Sequence, residues 1–259
     1  VKFLEKNNFK IKWATVIHSS ASLSTKIKIG EGSLILNSSI ISFNSVIKKH
    51  VCVPMSSIET SFLIQTTDGP KDYKDDDIIF LLILLEYLTT MEGVFWKEIR
   101  GEGLSYGYNI NFSIETGILN FSLTKSTDVF NAYKKSEDII NRLKNNFNIE
   151  EDKLDAARSS IIFSLISSED TYRKKASKSF LDRLRGLPIN EREIKLKKIK
   201  NTKVENLKKV FDKYLLKLFN KEQSNIVLTT SKNGYEKVVE NFKNYGINFE
   251  VKMVKDMFD

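Results

Sequence analysis

The 259 residues are 41% hydrophobic and 29% charged, with three prolines and eleven glycines, a balance that allows one large α/β domain or two smaller ones. It excludes a low-complexity or disordered chain. The one cysteine, Cys52, excludes an intrachain disulfide and fits a reducing compartment, with the cytoplasm as the expected location.

The net charge of +8 is unevenly placed: residues 171–259 hold 22 Lys+Arg against 11 Asp+Glu, a net +11, leaving about −3 to residues 1–170. A basic half raises nucleic acid or acidic lipid as partners. Here the lysines interleave with acids and no nucleic-acid motif accompanies them, so a solvated helix surface is the better account and neither partner is expected. The opening "VKFLEKNNFKIKW" carries charges where a secretory signal would have its apolar core, and the first residue is not Met. The chain therefore reads as a piece of a longer polypeptide, for which an organelle stays open.

In chain order, residues 10–53 read as short extended pieces, "FKIKWATVIH", "STKIKIG" and "GSLILNSSIISF", whose pairing stays open. "KKHVCVPMSSIETSFLIQTTDGP" follows as a strand alternating through Val51, Val53, Ile58, Phe62 and Ile64, with Pro54 marking a bulge or an edge and Asp68-Gly69-Pro70 ending it. "DYKDDD" is worded like an epitope tag but runs directly into a helix and reads as native. Asp75, Asp76 and Asp77 suit the positive end of that helix, which is predicted from about Ile78 to Arg100. Its first eight residues are apolar all round and predict burial on most faces. Glu86 and Glu92 interrupt it before the ~20 apolar residues that a membrane span needs.

"LSYGYNINFSIETGILNFSLTKS" predicts a hairpin turning near Glu115-Thr116-Gly117. Helices are predicted at about 127–146, 150–186 and 190–219, with Pro188 separating the last two. "SNIVLTTS", "GYEKVVENFKNYG" and "INFEVKMV" close the chain as strand, helix and strand. The fold class is α/β (α+β), a layered sandwich with a mixed, largely antiparallel sheet packed against helices.

Candidate sites are few. Arg100 and Tyr106, in "EIRGEGLSYGY", stand either side of a glycine-rich turn and could converge on a peptide carbonyl to steady a developing oxyanion. A helix-end arginine and a strand tyrosine are also ordinary structural residues. Gly101, Gly103 and Gly107 follow a helix and open a strand, the reverse of a phosphate-binding loop, and read as helix termination. His18 and His50 lie 32 residues apart, so the chain cannot hold a helical His-x-x-x-His-type catalytic zinc site. Cys52, between Val51 and Val53, reads as a buried thiol. Glu169, Asp170 and Arg173 read as surface ion pairs and caps on a long helix.

The segments "PMSSIETSF", "LEYLTTMEGVFWKEIRGEGLSYGYN", "SSEDTYRKKASKSFLDRLRGLP" and "VENLKKVFDKYLLKLFNKEQSNIVLTTSK" resemble the C-terminal domain of the insulinase/pitrilysin zinc metallopeptidases, nearest to the presequence protease and falcilysin branch and its cytosolic relatives. The resemblance covers about 51–259, and residues 1–50 read as the tail of a preceding domain. It implies a clamshell-type domain that closes over a substrate chamber. In that family a C-terminal Arg and Tyr hydrogen-bond the substrate backbone, a role that would fall to Arg100 and Tyr106. It implies a peptide substrate, an N-terminal zinc-bearing half as partner, zinc in the full-length enzyme, and no cofactor in this piece. The departure from the family, the absent zinc motif, leaves a peptidase whose zinc lies elsewhere or a non-catalytic structural relative.

Overall fold

The structure is a computed structural model that describes residues 50–253 and, before them, four two-residue strands. By compactness the chain divides into two units, Val1–Ile47 and Lys48–Asp259. In the first, β1 (Val16–Ile17) pairs parallel with β3 (Leu34–Ile35), and β2 (Ser22–Leu23) parallel with β4 (Ile40–Ile41). "STKIKIG" and His18 lie outside the described residues.

The second unit is built on a six-stranded sheet in the order β10-β5-β9-β6-β8-β7. Its strands are β5 (Val51–Met55), β6 (Ser61–Asp68), β7 (Ser105–Ser113), β8 (Ile118–Ser126), β9 (Asn225–Ser231) and β10 (Glu250–Val251). The β10-β5 and β5-β9 pairs are parallel; β9-β6, β6-β8 and β8-β7 are antiparallel. The single strand predicted through Val51 to Ile64 is thus two strands that never pair, because the chain turns after Met55 and β9 inserts between them. Pro54 lies past the end of the two-residue β10, where β5 is an edge on that side. There its missing N–H costs no ladder bond. The hairpin turns as predicted, with Gly117 at φ 66°.

One face of the sheet carries the core. Leu63 on β6, Leu119, Phe121 and Leu123 on β8, and Ile226 and Leu228 on β9 are all fully buried or nearly so. Against this face lies α1 (Asp77–Thr89), whose Leu81, Ile83, Leu84 and Leu88 expose nothing. Each such side chain contributes about 1.5–3 kcal/mol by leaving water. The helix does not run on to Arg100: Thr90–Gly93 break it, with Glu92 at φ 62° and the Gly93 N–H donating to the Thr90 carbonyl at 3.1 Å. The chain then re-enters a π-helical turn, Trp96–Arg100.

The helices that follow are α2 (Val129–Asn145), α3 (Glu151–Ser167), α4 (Tyr172–Leu184), α5 (Glu191–Lys200) and α6 (Val204–Val210). From α6 the chain continues as a π-helical turn, Phe211–Leu215, and a short helical end, Leu216–Leu218; α7 (Tyr235–Asn244) comes last. The predicted helix over 150–186 is two helices, because the Thr171 side chain accepts from the Lys174 N–H and starts α4 afresh. The one predicted over 190–219 is likewise interrupted at 201–203. Glu169 and Asp170 therefore sit in a turn. Glu169 is enclosed by Lys178 at 2.8 Å and Arg192 at 3.2 Å, and Asp170 pairs with Lys174. No helix among the described residues is long and apolar enough to cross a membrane.

Candidate functional site

Arg100 ends the π-helical turn, and the sequence around it explains why the chain stops there. The Gly101 N–H donates to the Trp96 carbonyl at 2.8 Å and closes the wide turn. The Gly103 N–H then donates to the Arg100 carbonyl at 3.0 Å, with Gly103 at φ 73°, a conformation that side chains resist. The chain enters β7 at Ser105, whose buried hydroxyl donates to the Gly107 carbonyl at 2.9 Å or to that of Thr124 at 3.0 Å. The Thr127 hydroxyl holds the Gly103 carbonyl at 2.7 Å. Gly107 faces Thr124, and a Cβ there would stand 2.5 Å from the Thr124 hydroxyl. The glycines are a helix stop and a close strand crossing, not a phosphate cradle.

This turn brings the two candidate residues together. The Arg100 guanidinium carbon lies 4.9 Å from the centroid of the Tyr106 ring, and the Lys125 ammonium lies 5.8 Å from the same ring. Tyr106 is 65% exposed, so its hydroxyl end is accessible. A cation over an exposed phenol contributes about 0.5–1 kcal/mol, enough to bias the pair's orientation without locking it. The acids beside Arg100 are engaged elsewhere. Glu98 pairs with Arg142, and Glu102 with Lys135 at 2.9 Å; among the described residues no carboxylate pairs with Arg100.

By strand alternation Tyr106 shares a face with Tyr108 and Ile110, the side on which the helices pack, but beyond the end of that layer. Tyr108 ties the site to α1, its hydroxyl donating to the Thr89 carbonyl at 3.3 Å. Burial raises the Tyr108 phenol and the Arg100 charge pulls it partly back, so Tyr108 is a neutral donor at physiological pH. Lys125 and Tyr108 are the residues that sequence reading missed. Lys125 stands at φ 51°, a local irregularity opposite Tyr106 that nothing in "LTKS" announces. The spacing Tyr106-Gly107-Tyr108 could have flagged Tyr108.

The other face of the sheet is only partly covered and mostly neutral, with Asp68 at the end of β6 and Glu250 on β10 as its acids. Phe62, Ile64 and Thr66 on β6, Asn109 and Asn111 on β7, Asn120, Ser122 and Thr124 on β8, and Val227 and Thr229 on β9 are half-buried or exposed. The Asn120 side-chain amide donates to Asn111 at 3.1 Å. Arg100 and Tyr106, on the helix side at the end of β7, supply a cation and a phenolic donor instead. Such a set suits peptide backbone, whose carbonyls accept from guanidinium and phenol alike.

Among the described residues the metal-ligating side chains do not fit a catalytic zinc. Nδ1 of His50 accepts from the Ile226 N–H at 3.2 Å, and burial lowers the imidazole's affinity for protons, with a backbone hydrogen bond to Lys221 partly offsetting it. Cys52 is fully buried, its thiol pushed up to about 12 by burial. Among the described residues no three His, Cys, Asp or Glu side chains are placed to hold a metal ion.

No protein-family model matches the chain. It is 28% identical over 208 residues to an uncharacterized protein of Schizosaccharomyces pombe, covering 79% of this chain and 20% of that one. It is 27% identical over 210 residues to an uncharacterized protein of Saccharomyces cerevisiae, covering 80% and 20%. The chain thus spans about a fifth of the length of these relatives. Among solved structures it is similar to the peptidase M16 inactive domain from Pseudomonas fluorescens, with TM-score 0.58 and 18% identity over 71% of this chain and 42% of that one. It is similar to a protease from Helicobacter pylori, with TM-score 0.58 and 14% identity over 76% and 53%. It is also similar to pitrilysin, with TM-score 0.54 and 15% identity over 82% and 22%. The fold is that of the M16 peptidase clamshell domains.

Proposed function

We propose that the chain is the C-terminal, zinc-free domain of a longer zinc metalloendopeptidase, in which it closes the substrate chamber and holds the peptide backbone through Arg100 and Tyr106. The observation that carries this reading is the stacked, solvent-facing Arg100–Tyr106 pair at the end of β7, with which no carboxylate pairs among the described residues. Residues 1–50 are the tail of the preceding domain, and zinc belongs to the N-terminal half. Arg100 donates to a backbone carbonyl of the bound peptide and the Tyr106 hydroxyl to the same or the adjacent one. Lys125 adds positive charge where negative charge grows on that oxygen. A place in the branch of presequence protease and falcilysin, and a cytoplasmic location, belong to the same proposal.

The test is made in the full-length protein. Arg100→Ala and Tyr106→Phe should each slow peptide hydrolysis about 10²- to 10³-fold, or roughly 2.7–4 kcal/mol, without unfolding the domain or releasing metal. The loss falls on kcat if the bond strengthens in the transition state and on KM if it serves only the ground state. Full activity of Tyr106→Phe on several unrelated peptides would remove the phenol from the mechanism. A second reading, a non-catalytic scaffold domain of the same fold, draws support from the similarity to the domain from P. fluorescens that is described as inactive. A full-length protein without hydrolytic activity and without bound zinc would favour it.

A further inference from the structure

Helix α4 (Tyr172–Leu184) buries none of its residues, which a helix of a single folded unit rarely does. Thirteen residues are too few for a stable helix in water by propensity alone. What ties α4 down is polar, chiefly Lys178 to Glu169 at 2.8 Å and Lys174 to Asp170 at 2.9 Å in the preceding turn. Yet Phe180, Leu181 and Leu184 fall together on one side of the helix and are 64%, 44% and 38% exposed. The preceding helix α3 leaves Phe163 and Ile166 exposed as well. An apolar stripe of this kind marks an interface.

Charge and length identify what covers it. Arg173, Lys175 and Arg183 on α4 have no carboxylate within ion-pair distance among the described residues, so the occupant should bring acids to the rim. A second copy of the stripe would set like charges against each other, which disfavours self-association. About four-fifths of the length of the relatives lies outside the matched region. We propose that α4 is the docking helix for the part of the longer polypeptide outside these 259 residues, which receives Phe180, Leu181 and Leu184 on an apolar surface with an acidic rim. The proposal rests on the reading of the chain as one domain of a longer protein, but not on that protein's being a peptidase.

The experiment compares hydrogen exchange of the α4 amides in the 259-residue chain and in the full-length protein, each with and without Phe180→Asp and Leu184→Asp together. Both positions are exposed, so the β6 and β8 amides should exchange alike in all four samples and report an intact fold. The expected result is exchange at least ~10-fold slower for α4 in the full-length protein, lost in the double variant. Equal α4 exchange in both wild-type proteins, or protection that survives the double variant, would overturn the proposal. So would concentration-dependent dimerisation of the 259-residue chain, or binding to vesicles of phosphatidylcholine and phosphatidylserine, that the double variant abolishes while α4 in the full-length protein stays unprotected. Loss of peptidase function in the full-length protein, with α4 protection retained, would count against the preceding section and leave this inference standing.

Discussion

Asp77 opens α1 with its side chain 3% exposed, between the Lys213 ammonium at 2.5 Å and that of Lys209 at 3.0 Å. Burial pushes its carboxyl up, the two lysines outweigh burial, and it rests below the ordinary carboxylate range. The lysines are 45% and 66% exposed, so each bond is partly screened by water. Replacing one lysine by Met should therefore cost only about 1 kcal/mol. Replacing both strands a buried carboxylate with no cation, which costs about 3 kcal/mol or more.

The pH dependence gives the sharper signature. In the wild-type protein Asp77's contribution is complete above the unfolded value of ~3.9 and is lost as pH falls through the lowered folded value. Without the lysines burial alone acts, the folded value rises, and stability is lost as pH rises through it. The Lys209→Met, Lys213→Met protein should thus recover about 1–2 kcal/mol of its deficit between pH 7 and pH 5. Urea unfolding followed by circular dichroism at the two pH values reads this directly. A deficit below about 0.5 kcal/mol, or one unchanged between pH 7 and pH 5, would refute the reasoning.

Leu84→Asp should abolish soluble expression, since an unpaired carboxylate at a fully buried site costs several kcal/mol against a total of about 5–15 kcal/mol. A soluble, cooperatively unfolding variant would show that α1 is not the core. Cys52 should react with a maleimide at pH 8 at least ~10³-fold more slowly in the native protein than in urea, its thiol being buried and raised to about 12. Comparable rates would mean that β5 opens readily. The 259-residue chain by itself should bind no stoichiometric zinc and cleave no peptide; one tightly held zinc per chain with chelator-sensitive proteolysis would contradict that.

What the sequence disclosed was what is local. The all-apolar run after Asp77 announced a buried helix, and the alternation around Glu115-Thr116-Gly117 announced the hairpin. The turn that sets Arg100 beside Tyr106 was legible as a stop followed by a strand. The breaks were not: Thr90–Gly93 and 168–171 carry no proline, and their interruption comes from a positive φ at Glu92 and a cap at Thr171, either of which a helix can absorb. The separation of β5 from β6 was hidden for a different reason. Alternation describes one strand at a time and says nothing of a partner more than 150 residues away. The side of the sheet that Tyr106 faces depended on the same long-range register.

That late partner sets the order of events at the ribosome. Among the described residues β9 alone joins β5 to β6, β8 and β7, and it is made roughly 170 residues after β5. At about 5–20 residues per second the nascent chain carries β5 and one side of β6 unpaired for roughly 10–35 s. Both have open edges during that interval, and β5 is wholly apolar, so synthesis, more than the finished fold, is the stage at which this sheet offers surface for wrong pairing.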